Sequence, residues 1–311
     1  MRRLASEPHE ANSSSLSAER PVALHGILIA PFTEFAFMRR ALAGAVALAV
    51  AGSPLGVFLV LRRMSLTGDA MSHAILPGAA LGYLAAGLSL GPMTIGGLIA
   101  GLIVAIASGA IARTTILRED ASLAAFYLIS LALGVTIISV RGSNIDLLHV
   151  LFGSVLALDD AALILLASIA SITLAGLAIL YRPLVLDTVD AGFLASVSRS
   201  GGLVETAFLA LLVLNLVGAF HALGTLLAVG LMMLPAASAR LITQDMTAMI
   251  TLASAQGIIA GYAGLIVSFH FGLPSGPVIT LLAGLLYLLA LLAGPAGGLL
   301  RRLRPRRHLE A

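Results

Sequence analysis

Asp69 and His73 are the side chains in this sequence with the most chemistry to offer. They stand four residues apart in Ser65-Leu66-Thr67-Gly68-Asp69-Ala70-Met71-Ser72-His73-Ala74, and on a helix that spacing puts both on one face. A carboxylate and a neutral imidazole so placed can ligate a borderline divalent cation such as Zn²⁺ or Mn²⁺. The pattern is short, and the blander alternative is that Asp69 caps a helix and His73 bonds a neighbouring one. Three more histidines, His149, His221 and His270, fall near one side of the expected membrane domain, with Asp146, Asp159 and Asp160 at similar depth. Imidazoles at an entrance suit a cation on its way to a pathway, and each alone also reads as a polar anchor at the membrane interface.

Other chemistries are excluded by composition. The chain has no Cys, so it has no disulfide, no thiolate metal site and no thiol nucleophile. Its 18 basic residues are all Arg. A phosphate-binding loop of the GxxxxGK[ST] type needs a Lys, so the chain is not by itself the usual kind of ATPase, and energy must come from a partner or an ion. No catalytic activity and no bound cofactor are expected of the chain itself. The net charge of +3 comes from arginines that flank apolar segments, a pattern of membrane edges and not of nucleic-acid binding.

The elements that hold these residues are membrane helices. With 59% hydrophobic and 11% charged residues in 311, the chain reads as an all-α polytopic membrane protein of eight to nine transmembrane helices. Apolar runs of about 20 residues, enough for a ~30 Å hydrocarbon layer, recur at Phe37–Leu61, Leu66–Leu88, Pro92–Arg113, Ser122–Val140, Asp159–Tyr181, Leu203–His221, Gly224–Ile242, Met246–Phe271 and Ser275–Leu292. They lack the alternation of barrel strands, and only helices and closed barrels satisfy their backbone in lipid. Pro77 and Pro235 lie inside such runs and predict kinks around a central cavity. Residues 1–34 read as a polar, disordered tail, 35–297 as the transmembrane domain, and 298–311 as a basic tail. The positive-inside rule places the loop Arg182–Gly202 and the C-terminus in the cytoplasm, together with Arg62, Arg63, Arg113, Arg118, Arg240 and the terminal arginines. Within that loop Asp187 reads as an N-cap and Gly201 as a C-terminal stop, so that Asp190 and Phe193 fall in a short cytoplasmic helix. Such a helix suits docking to a soluble partner, or lies on lipid.

Several stretches together carry a resemblance. The run from Leu61 to Gly78, Leu61-Arg62-Arg63-Met64-Ser65-Leu66-Thr67-Gly68-Asp69-Ala70-Met71-Ser72-His73-Ala74-Ile75-Leu76-Pro77-Gly78, resembles a signature of the membrane-spanning permeases of ATP-binding-cassette importers for zinc, manganese and iron. Leu151-Phe152-Gly153-Ser154, Leu234-Pro235-Ala236-Ala237-Ser238-Ala239-Arg240 and Leu273-Pro274-Ser275-Gly276-Pro277 resemble further elements of that family in its order. The resemblance implies a homodimer of permeases, a cytoplasmic ATPase dimer and an extracytoplasmic metal-binding protein, in a bacterial inner membrane. It implies that Asp69 and His73 line the pathway and that Asp187–Gly201, with Asp190 and Phe193, couples to the ATPase. His149 and His221 lie outside the family-wide motifs, and the tail before Phe37 is longer than usual. The histidine-rich set of candidates favours Zn²⁺ as cargo, with Mn²⁺ or Fe²⁺ as the alternative. The rival readings are a proton-driven secondary transporter with Asp69 and His73 as relay, and a scaffold without transport.

Overall fold

The structure, a computed structural model, describes residues 26–87, 89–116, 119–140, 155–189 and 201–300. Among these residues there is no strand, and the helices run in the order α1 Ala30–Glu34, α2 Ala36–Leu61, α3 Thr67–Ala74, α4 Leu76–Ala86, α5 Leu90–Thr114, α6 Glu119–Val140, α7 Asp160–Val189, α8 Gly201–Leu223, α9 Thr225–Ile242, α10 Met246–Phe271 and α11 Ser275–Ala293. A single 3₁₀ turn, Val155–Ala157, precedes α7. Eight of the helices are long and apolar enough to cross a membrane: α2 and α5 to α11. The described structure begins inside the stretch expected as tail: α1 packs on the bundle, with Phe32 stacked on Tyr262 at 5.1 Å and the Tyr262 hydroxyl donating to the Leu28 carbonyl.

Helix α2 forms the axis. Most of it is buried, as is most of α8, whereas α6, α7 and α11 turn most of their surface outward. Close approach explains the choice of small residues on α2: a Cβ at Gly56 would collide with the Met232 carbonyl of α9, so only glycine lets those two backbones meet.

The expected second span, Leu66–Leu88, is not one helix but two. Pro77 has no N–H for the carbonyl of His73 four residues back, and the helix is interrupted at Ile75. The next carbonyl, that of Ala74, accepts the Ser130 hydroxyl of α6 at 2.9 Å, which satisfies in an apolar interior a group that the break exposes. Ile75 itself lies over Gly97 and Gly101, near Val213, about halfway along both α5 and α8. Beyond the break, Gly78 and Gly96 each stand where a Cβ would strike the other's backbone, which seats α4 directly on α5. Together α3 and α4 cover about 30 Å at ~1.5 Å per residue, so the broken pair has the reach of a ninth crossing. Pro235, in contrast, sits within an unbroken α9, as Pro54 does in α2 and Pro183 in α7.

Helix α7 corrects a second expectation. The run Asp159–Tyr181 continues through Pro183 to Val189, so Asp187 is not the cap of a new helix but part of the last turn of α7. Burial of Leu184 and an ion pair from Asp187 to Arg62 hold that last turn against α2. Gly201 opens α8 instead of ending a preceding helix. Asp190 and Phe193 lie outside the described residues.

Candidate functional site

The site begins with the shortness of α3. Its eight residues, Thr67–Ala74, are bounded by the turn after α2 and by the break at Ile75. At the start the Thr67 N–H donates to the Met64 carbonyl at 3.0 Å and the Ala70 N–H to the Leu66 carbonyl at 3.0 Å. No side chain caps this end, so the capping role open for Asp69 is not the one it has. Asp69 stands in the first turn, where the helix dipole favours a carboxylate.

The two faces of α3 differ sharply. Ala70, Met71, Ser72 and Ala74 are buried against the bundle, and the Ser72 hydroxyl turns back to the Asp69 carbonyl at 2.7 Å. Leu66, Asp69 and His73 form the opposite stripe: Leu66 is 79% exposed and the Asp69 side chain 62%. The His73 side chain is 23% exposed, with its ring 6.3 Å from that of Tyr127 on α6. Counting from the midpoint at Ile75, His73 lies roughly 3 Å and Asp69 roughly 9 Å along the axis, on the side of Arg62.

Asp69 Oδ1 and His73 Nε2 are 3.8 Å apart. That is longer than a hydrogen bond. It is within reach of one cation held at about 2.0–2.2 Å from each donor. The other ring nitrogen, His73 Nδ1, is buried and has no hydrogen-bond partner. No group of three or more His, Asp or Glu side chains converges among the described residues. Among the described residues, one chain therefore offers two neighbouring donors on an outward stripe.

His270, Asp159 and Asp160 do not join this pair. His270 ends α10, whose packing partners are α2, α9 and α11; its Nδ1 lies 2.9 Å from the Ile266 carbonyl and its ring stands edge-on to Phe269 at 5.5 Å. That is how an interfacial anchor is held. His221 lies in the last turns of α8, and His149 and Asp146 are outside the described residues. Asp159 caps α7, accepting the Ala162 N–H at 2.7 Å, and Asp160 pairs with Arg40 at 3.2 Å. Both acidic residues at that end thus have structural partners.

Sequence reasoning missed Tyr127 and Ser130. They are polar-bearing residues three apart on α6, the spacing of one helix face, and that was the available signal. It missed the Arg62–Asp187 pair as well, which joins residues 125 apart in the chain.

A family model described as the ABC 3 transport family matches residues 34–294. The "Manganese transport system membrane protein MntC" of Halalkalibacterium halodurans is 33% identical over 269 residues, 86% of this chain and 91% of that protein. The "Manganese import system permease protein ScaB" of Streptococcus gordonii is 33% identical over 270 residues, 86% of this chain and 95% of that protein. Among solved structures, "PsaBC from Streptococcus pneumoniae in complex with Fab" is similar with a TM-score of 0.78 and 31% identity, covering 89% of this chain and 99% of that one.

Proposed function

Because the chain belongs to the ABC 3 transport family, we propose that it is the membrane-spanning permease of an ATP-driven importer that carries Mn²⁺, with Fe²⁺ the next candidate. The observation that carries this reading is the Asp69–His73 pair: two metal donors 3.8 Å apart on the outward stripe of a short broken helix within the membrane-spanning part of the chain. An ionisable side chain at the bilayer centre costs at least ~2.5–3.5 kcal/mol on insertion scales, so ionisable groups within spans are default candidates for a pathway.

The donors support the choice of cargo. Met71 is fully buried on the far side of α3 and the chain has no Cys, so the pair presents oxygen and nitrogen without sulfur. Two copies facing each other across the exposed stripe would supply two carboxylates and two imidazoles, and water could complete a six-coordinate shell. The zinc preference rested on counting histidines, and of these only His73 joins a second donor among the described residues. The names borne by the relatives point the same way, toward manganese. The same donors would bind Zn²⁺ more tightly by the Irving–Williams order, so discrimination belongs to geometry and to the protein that delivers the ion.

The expected machinery follows from family membership: a second copy of this permease, a pair of cytoplasmic ATPase subunits and an extracytoplasmic metal-binding protein. Arg62, Arg182 and Arg240 share the end of the bundle where the chain after α11 packs beside Leu241, which supports a cytoplasmic C-terminus. The site would then act by alternating access. Few and replaceable ligands hold the ion briefly, since a complete cage would trap it.

Vesicles holding the permease, its ATPase and its binding protein test the proposal. Uptake of Mn²⁺ should require ATP, should persist when an uncoupler abolishes the proton gradient, and should exceed that of Zn²⁺ supplied at equal free concentration. Loss of uptake with the uncoupler at constant ATP would favour the proton-driven reading instead.

A further inference from the structure

Arg62 is the first residue after α2, yet its side chain belongs to three helices at once. The guanidinium pairs with Asp187 in the last turn of α7 and lies over the Phe208 ring of α8, 5.1 Å from its centroid. Phe208 packs edge-on against Phe58 at 6.1 Å, and Phe58 in turn against Tyr181 of α7 at 6.3 Å. The pair is enclosed: the Arg62 side chain is 8% exposed and that of Asp187 19%. The helices gripped are the two that bracket residues 190–200, one just before that segment and one two turns after it.

Arg62 is also joined by a short path to the metal donors. From Phe58 onward the backbone carries a run of hydrogen bonds: Arg62 N–H to the Phe58 carbonyl, Arg63 to Val60, Met64 to Leu59, Thr67 to Met64 and Ala70 to Leu66. Arg63 adopts φ 60°, a left-handed conformation that side chains other than glycine rarely take and that persists only where the surroundings impose it. Seven residues after Arg62 comes Asp69, and eleven after it His73.

We infer that the Arg62–Asp187 pair, seated on Phe208, is the positioning contact through which movement of the α7 and α8 ends reaches the Asp69–His73 helix. This rests on the importer reading. In that reading the ATPase acts on the permease at the arginine-bearing end. A contact that only closes the bundle would not need a charged pair buried between the very helices flanking the loop. Rotation of α7 against α8 would pull the guanidinium, and the hydrogen-bonded turn would pass that displacement to α3, which the break at Ile75 separates from α4. Arg62 touches no ion, and its part is to place the residues that do.

The test measures metal taken up per ATP hydrolysed in reconstituted vesicles. The informative variant is the double R62Q/D187N, because removing both charges leaves no orphan ion in the interior and is the change best tolerated by the fold. The expected result is an assembled complex that still hydrolyses ATP while Mn²⁺ uptake per ATP falls tenfold or more. Arg40→Gln at the opposite end should keep the wild-type ratio. A purely structural role would lower uptake and hydrolysis together, in proportion to the folded fraction, and either that outcome or an unchanged ratio in the double variant overturns the inference. Failure of the wild-type complex to take up any metal with ATP would instead overturn the importer reading, and the inference with it.

Discussion

Helices α2 and α7 are tied together twice by the same chemistry, an arginine of α2 or its C-cap and an aspartate of α7, and the two ties could hardly differ more in surroundings. At one end Arg40 meets Asp160 at 3.2 Å with side chains 34% and 82% exposed. At the other Arg62 meets Asp187 with 8% and 19% exposed, under an aromatic cluster. In the open pair water screens both charges and side-chain entropy opposes the contact, so its net contribution is about 0–1 kcal/mol. In the enclosed pair each ion has lost most of its water and depends on the other. The contact is then a poor source of net stability and a strong constraint on geometry. The comparison teaches that chemistry alone does not rank ion pairs; enclosure decides which one is costly to break on one side only.

Breaking the enclosed pair on one side should have the largest effect. Asp187→Ala leaves the Arg62 guanidinium buried beside Phe208 and is expected to cost about 3–5 kcal/mol in unfolding of the detergent-solubilised protein. Next comes Phe208→Leu, which keeps the pair but removes the ring beneath it. A loss of about 1–2 kcal/mol is expected from the cation–π contact and the altered packing. Asp160→Ala should be the mildest, within about 1 kcal/mol of wild type, and any effect should vanish in about 1 M salt, where the screening length shrinks to roughly 3 Å. If Asp160→Ala proved as damaging as Asp187→Ala in the same unfolding series, enclosure would not be what separates the two ends.

Much of this was legible in the sequence, for reasons that can be named. The apolar runs were long enough to be helices and nothing else in lipid, and Asp69 and His73 stood out because a four-residue spacing on a helix is a statement about geometry. What stayed hidden depended on contacts between distant segments. Pro77 and Pro235 look alike in sequence, but only Pro77 breaks its helix, where Ser130 of another helix receives the exposed carbonyl. The expected span stops at Tyr181, yet α7 runs on through Pro183 because Leu184 is buried and Asp187 finds Arg62. Asp159 and Asp160, grouped by depth with the entrance histidines, turn out to cap α7 and to pair with Arg40. A histidine count could not tell an anchored His270 from His73, whose Nε2 faces a carboxylate.

The central claim is that the ion passes between Asp69 and His73, and the most direct measurement is uptake of radioactive manganese into vesicles carrying the Asp69→Asn permease with its ATPase and binding protein. Asn keeps the size and shape of the side chain and removes its charge, so helix α3 and the ATPase contact should stay intact. The account predicts normal assembly and ATP hydrolysis of the complex with uptake reduced at least tenfold. Uptake at the wild-type rate would contradict it, leaving Asp69 as a carboxylate that merely complements a helix dipole.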